Sequence, residues 1–199
     1  MEDQHPEISE DRLLFFEREE LVVDNFDATG FILDIGGGGE GVIGKLKGEQ
    51  VIAIDPSKRE LEQAAAGPLK IIMDATDMQF LYETFNTVTS FSFYTLMYIK
   101  EVDAHKDVFG EVYRVLTPGG RFLIWDAIFP PRLDEKKDIV VFRLTLKLSE
   151  EEIDAEYGVL WPEGGRGVAY YVELAESAGF EAVLQREEGQ RFLLELRKL

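Results

Sequence analysis

The sequence contains no cysteine. Disulfide frameworks, thiolate zinc sites and thiol nucleophiles are thereby excluded. Histidine is nearly absent: His5 and His105 stand far apart, and no metal centre is expected from so sparse a ligand set. Cations are scarce too. Lys and Arg number 21 against 39 Asp and Glu, a formal net charge of −18. Such a chain repels phosphate backbones, so nucleic acid is not expected as a partner, and anionic membrane surfaces are disfavoured on the same ground. The overall field concentrates cations, which favours a neutral or cationic small ligand. No apolar run approaches the ~18 residues that suggest a membrane span. The first twelve residues, MEDQHPEISEDR, are acidic and polar, the reverse of an export signal. The expected compartment is the cytoplasm.

What is present suits one globular domain. The chain has 199 residues, 45% of them hydrophobic, enough for a core without staples. Short apolar runs end in turn residues: 31–35, 51–54, 69–73, 87–93 and 121–125. Such runs suit strands buried on both faces of a parallel sheet. Helical patterns lie between them, at 41–47, 58–66, 76–83 and 101–116, with Thr76 and Gln79 as a capping box. A further helix is expected over 168–178. Runs 181–185 and 192–196 then follow so closely that they must pair antiparallel. The expected fold is α/β: a doubly wound, mostly parallel seven-stranded Rossmann-like sheet with a C-terminal antiparallel hairpin. Residues 1–29 are expected as a helical cover, with a helix from Ser9 to about Asp24. Residues 30–127 form the core and 168–199 the closing helix and hairpin. Residues 128–167 fit no strand–helix unit and are expected as an inserted lid-like segment after the fifth strand, with 139–148 and 153–161 pairing.

The chemistry concentrates at strand ends. Gly36, Gly37, Gly38 and Gly39, then Glu40 and Gly41, follow the first strand of the core. Glycines there permit a tight turn and close approach of backbone to a ligand. Asp34 precedes the run, Asp55 ends the next strand, and Asp74 with Ala75 ends the third. A carboxylate at the second strand end can accept hydrogen bonds from two ribose hydroxyls at once.

The stretches FILDIGGGGEG (31–41), VIAIDPSKRELEQA (51–64), IIMDATDM (71–78) and EVYRVLTPGGRFLIWD (111–126) resemble class I S-adenosylmethionine-dependent methyltransferases. The resemblance implies S-adenosylmethionine as cofactor. It implies Asp34 and Gly36–Gly38 around the methionine part, Asp55 on the ribose, Pro56 against the adenine, and Asp74 and Ala75 at the adenine edge. Phe91, Tyr94 and Tyr98 would lie near the methyl end, with Tyr94, Tyr98 or Asp126 as proton acceptors. Trp161 and Arg166 would line the acceptor pocket, and one arginine, Arg143 or Arg166, could hold an acceptor's carboxylate or phosphate. The acceptor is expected to be a small molecule, with no metal required. Two departures stand out. Glu40 occupies the family's third glycine position, and Met97-Tyr98 replaces the polar residue usual after the fourth strand. These keep open a catalytically silent protein that binds the cofactor or a protein partner. A nicotinamide-dependent oxidoreductase shares the glycine pattern, but no Tyr here has a Lys four residues later.

Overall fold

The computed structural model describes residues 9–23, 25–91, 96–149, 151–162 and 165–199. In chain order its strands are β1 (Leu13–Phe15), β2 (Glu19–Val22), β3 (Ile32–Ile35), β4 (Val51–Asp55), β5 (Leu69–Ile72), β6 (Phe85–Phe91), β7 (Leu116–Ala127), β8 (Ile139–Lys147), β9 (Glu152–Leu160), β10 (Phe180–Glu188) and β11 (Arg191–Lys198). The helices are α1 (Val42–Lys47), α2 (Lys58–Gln63), α3 (Val102–Val115) and α4 (Val168–Ala178).

The main sheet has seven strands in the order β10-β11-β7-β6-β3-β4-β5. It is parallel from β7 to β5, and β10 and β11 close it antiparallel. Its centre is buried on both faces, which is why β3 is a continuous apolar run broken only by Asp34: Ile32, Leu33 and Ile35 are at most 1% exposed. Leu33, Ile35, Ile54, Val88, Phe122 and Ile124 face α3 and α4. On α3, Val108, Phe109, Val112 and Val115 form a wholly buried stripe at helical spacing. Gly179 ends α4 in the left-handed region at φ 100°.

The other face is covered by α1, α2 and a second sheet. β8 is the centre of that sheet. β1 and β2 both lie parallel along one of its edges, Leu13 opposite Ile139 and Glu19 opposite Leu144. β9 pairs antiparallel with the other edge. Val140, Phe142, Leu144 and Leu146 of β8 and Ala155, Tyr157 and Val159 of β9 share a core with Ile32, Val42, Ile43 and Ala53. The carboxylate of Glu19 accepts from the Gln190 N–H at 2.9 Å and from Arg191 Nη1 at 2.7 Å, tying the second sheet to the β10–β11 turn.

Two helices expected from the sequence are absent, and three others are shorter. The segment 9–24, as far as it is described, holds one 3-10 turn (Glu10–Arg12) and the strands β1 and β2; Asp24 lies outside the described residues. Ser9 caps nothing. β8 offers this segment a row of unpaired backbone groups, and Leu21 and Val23 alternate inward as a strand's residues do. Pairing outweighs helix propensity. The segment 76–83 is also not helical. Thr76 gives its N–H and hydroxyl to the Asp74 carboxylate, at 2.9 and 2.8 Å, a turn that competes with helix capping. Arg114 of α3 then holds the carbonyls of Met78 and Phe80, both at 2.7 Å, so the backbone finds its partners outside itself. α2 ends three residues early, at Gln63 rather than 66. The hairpin β8–β9 forms as expected but packs on the face of the sheet, reaching the strand ends only where Tyr98 meets Gly158.

The second sheet is thus core rather than appendage. Phe142→Ala is expected to cost about 3–5 kcal/mol, because its ring packs between Phe16 and Phe129, each centroid 5.2 Å away. Urea unfolding measures it. A loss under about 1 kcal/mol would mean that the sheet docks loosely.

Candidate active site

β3 lies between β4 and β6, and the chain winds outward from it in both directions, so a crevice opens at the carboxyl ends of β3 and β6. Parallel register brings three carboxylates to this edge. Asp34 lies opposite Ala53 of β4 and Thr89 of β6, Asp55 opposite Ile72 of β5, and Asp74 two residues beyond. The glycine loop folds over them. Gly36 and Gly37 both donate N–H to the Ile54 carbonyl, at 2.8 and 3.1 Å, and Gly39 donates to the Glu60 carbonyl at 2.9 Å. Side chains are excluded by contact. A Cβ on Gly37 would stand 2.7 Å from the Ala53 Cβ and 2.8 Å from Asp34 Oδ2; one on Gly38 would stand 2.5 Å from the Glu60 Cβ and 2.9 Å from Asp55 Oδ2.

Asp34 is buried, and its Oδ1 accepts a 2.7 Å hydrogen bond from the Thr89 hydroxyl. Burial pushes its pKa up to about 7, Thr89 opposes the rise, and the neighbouring Asp55 adds to it. Asp55 is also raised by burial, opposed by the N–H groups of Ser57, at 2.7 Å, and Gly38, while Glu60 adds to the rise. A carboxylate has about four acceptor sites, so Asp55 keeps capacity for a ligand's hydroxyls. Asp74 and Pro56 are exposed beside it, and Ala75 is buried. The arrangement is a negative, partly dehydrated shelf suited to a hydroxyl-rich ligand that also carries positive charge.

A cleft of about 1020 Å³ is walled by Met97–Lys100, by 158–162, and by Arg166 and Tyr170. Tyr98 of this cleft feels the charge of the shelf side. Its hydroxyl donates to the Gly158 carbonyl at 3.1 Å, while burial, with Glu40 and Glu60 of the shelf side, pushes its pKa up to about 12. It therefore keeps its proton and serves as a donor. Trp161 donates its indole N–H to the Pro130 carbonyl at 3.0 Å, fixing one wall. Arg166 is buried and holds the carbonyls of Ile99 and Lys100, at 2.6 and 2.9 Å.

The structure thus brings Asp34, Gly36–Gly38, Asp55, Pro56, Asp74 and Ala75 to one edge, and Tyr98, Trp161 and Arg166 to the cleft. It does not bring Asp126 or Phe91 to either surface. Asp126 is wholly buried at the end of β7, bonded to the Ala127 N–H at 2.7 Å and raised to about 7 by desolvation, so no acceptor reaches it. Phe91 packs against Trp125, centroids 5.8 Å apart, in the core with the second sheet. Arg143 is spent on the Phe16 carbonyl. Tyr94, Phe93 and His5 lie outside the described residues. Among the described residues no group of three or more His, Asp or Glu is placed to hold a metal.

Sequence reasoning missed Thr89, whose pairing opposite Asp34 becomes visible only when β3 and β6 are laid side by side. It also missed His105. That ring is buried, its Nε2 2.9 Å from the Leu96 carbonyl and its Nδ1 3.0 Å from the Tyr170 hydroxyl; burial lowers its pKa to about 4, so it is neutral and supports the cleft from below.

Residues 33–124 match a family model described as a methyltransferase domain. No curated protein matches the chain. Among solved structures, an S-adenosylmethionine-dependent methyltransferase from Methanosarcina mazei superposes with a TM-score of 0.64 at 17% identity, covering 87% of this chain and 94% of that one. Another from Mesorhizobium loti gives 0.59 at 16% identity, covering 87% and 94%. A glycopeptide N-methyltransferase complexed with S-adenosylmethionine gives 0.56 at 17% identity, covering 86% and 88%. At such identities the likeness establishes the fold.

The buried carboxyl has a cost that can be measured. Asp34 has a raised pKa when folded, so ionising it destabilises the fold progressively from about pH 4 to pH 7, and fully above that range. Asp34→Asn keeps an acceptor for Thr89 and sheds the charge. At pH 8 it is expected to raise stability by at least about 1 kcal/mol, and at pH 4 to change it little. Thermal melts at the two pH values decide; a variant less stable than the parent at pH 8 would contradict the reading.

Proposed function

We propose that the chain is a class I S-adenosylmethionine-dependent methyltransferase, and that it methylates a small-molecule acceptor held in the cleft beside Tyr98. The observation that carries this reading is that Tyr98, a wall of the cleft, is within electrostatic reach of Glu40 and Glu60 on the shelf side. Asp34 and Asp55 lie against a glycine loop too close-packed for side chains, and Asp74 follows the next strand.

The residues fit the cofactor. Asp55 would hold the ribose hydroxyls, Pro56 and Ala75 would flank the adenine, and Asp74 would meet its edge. The backbone of Gly36–Gly38 would line the methionine part above Asp34, whose dehydrated carboxyl gains from a positive charge nearby. The cofactor supplies a methyl group already activated by its sulfonium. What is left to the chain is alignment and exclusion of water. The walls at Trp161 and Arg166 hold the acceptor in place. Tyr98, fixed on Gly158, is a hydrogen-bond donor in the cleft and not a proton acceptor. Within residues 128–167, we take the cleft-lining part, Arg132, 158–162 and Arg166, as a wall of the acceptor site, while β8 and most of β9 belong to the core.

A small acceptor suits a cleft of about 1020 Å³, close to the upper end of the ~300–1,000 Å³ usual for small-molecule pockets. Nucleic acid suits it poorly, since net −18 leaves few cations for phosphate contacts. Among the described residues no helix is long and apolar enough to cross a membrane.

Asp55→Ala tests the cofactor half of the proposal. Loss of charge-assisted bonds to the ribose is expected to weaken S-adenosylmethionine binding by about 2–3 kcal/mol, with little change in the melting temperature. Isothermal titration reads the affinity, and an unchanged dissociation constant would reduce Asp55 to a turn former. The acceptor half is tested with labelled S-adenosylmethionine offered total RNA, DNA and a small-metabolite pool. Label is expected in a small molecule; salt-sensitive label in nucleic acid alone would refute it.

A further inference from the structure

We propose that the cleft selects an anionic acceptor, a small molecule with a carboxylate or phosphate head and an apolar body. The inference rests on reading the cleft as the acceptor site. Net charge points the other way, towards neutral or cationic acceptors, but the charge around the cleft is inverted relative to the chain. Among the described residues, its charged lining consists of Lys100, Arg132, Arg166 and one carboxylate, Asp138. That carboxylate is already committed, held by Arg12 through two hydrogen bonds of 2.8 and 2.7 Å.

None of the three cations is held in this way, though Asp138 also feels the charge of Arg132. Among the described residues, ion pairs engage Arg12, Arg18, Lys45, Arg114, Lys147 and Arg191, among others, but none engages Lys100, Arg132 or Arg166. Arg132 bonds the carbonyls of Asp134 and Glu135, and Arg166 those of Ile99 and Lys100. Carbonyls fix a guanidinium without cancelling its charge. The Lys100 ammonium is exposed at the rim and makes no hydrogen bond to a described residue. In a protein with 39 carboxylates and 21 cations, three cations against one carboxylate among the described residues around one hollow is a local reversal of the overall charge ratio. Asp126 acts on Arg166 from within the core, but desolvation raises its pKa to about 7, so its charge is incomplete at neutral pH.

The rest of the lining is apolar. Met97, Val159, Leu160, Trp161 and Pro162 offer surface for a hydrocarbon or ring. Concave walls of low dielectric focus the field of the cations into the hollow. Arg166 contributes charge with two of its N–H donors committed to carbonyls; Lys100 and Arg132, both exposed, are positioned to meet the anionic head.

The test uses four probes that share a phenyl group: phenylacetate, phenyl phosphate, phenylacetamide and phenethylamine. Affinities are measured by saturation-transfer NMR, with and without S-adenosylhomocysteine. At least one anion is expected to bind about tenfold more tightly than the amide, and the amine most weakly. The preference should shrink in high salt and vanish in the double variant Lys100→Gln, Arg132→Gln, whose affinity for S-adenosylhomocysteine stays at the parental value. Amide or amine binding as tight as both anions, a preference unaltered in the double variant, or no anion binding at all would overturn the inference. If S-adenosylhomocysteine itself failed to bind, the fault would lie with the cofactor reading, because probe selectivity is read without it.

Discussion

A carboxylate nearly without water lies at the middle of the main sheet, and much of the surrounding structure serves to keep it there. Asp34 replaces an apolar residue in a strand otherwise sealed on both faces. Thr89 supplies its hydrogen bond from one neighbouring strand, and Asp55 repels it from the other. The glycine loop closes over it, and Gly37 leaves no room for a side chain between them. A fold optimised for stability alone would place a leucine there. Keeping an acid costs stability, and such costs are characteristic of sites that need a particular electrostatic environment.

The sheet carries its two faces differently. α3 and α4 cover one by ridges of Val, Phe and Leu. The other is covered largely by a second sheet that joins the N-terminal strands β1 and β2 to the much later strands β8 and β9. That sheet has two tasks. Its inward residues complete the core, and the β9 end at 158–160 forms a wall of the cleft. Tyr98 connects the two regions with one hydrogen bond to Gly158.

Much of the parallel core could be read directly, because strands buried on both faces leave uninterrupted apolar runs and their ends leave Asp and Gly. Asp34, Asp55 and Asp74 were legible for that reason. The N-terminal segment was not. Its residues Leu13, Leu14, Phe16 and Leu21 permit a helix, and what makes them strands is β8, far along the chain. The same holds for 76–83, where the side chain of Arg114 captures the carbonyls that a helix would have used. Asp126 looked available because it ends a strand, yet it is wholly buried, with Tyr171 of α4 beside it. Net charge likewise misrepresented the cleft, since 21 cations suffice to line one hollow if they are placed there.

The central claim is that Asp34 is held as a high-pKa carboxyl until a positively charged ligand settles above it. Carbon-13 NMR titration of the aspartate carboxyls, with Asp34 assigned through Asp34→Asn, tests this directly. In the free protein Asp34 is predicted to titrate near pH 7, against an ordinary 3.8. Saturation with S-adenosylmethionine is predicted to lower that value by at least about one unit, as a nearby cation favours the charged form. An Asp34 that titrates in the ordinary carboxylate range without ligand, or whose pKa does not move when S-adenosylmethionine binds, would contradict the account.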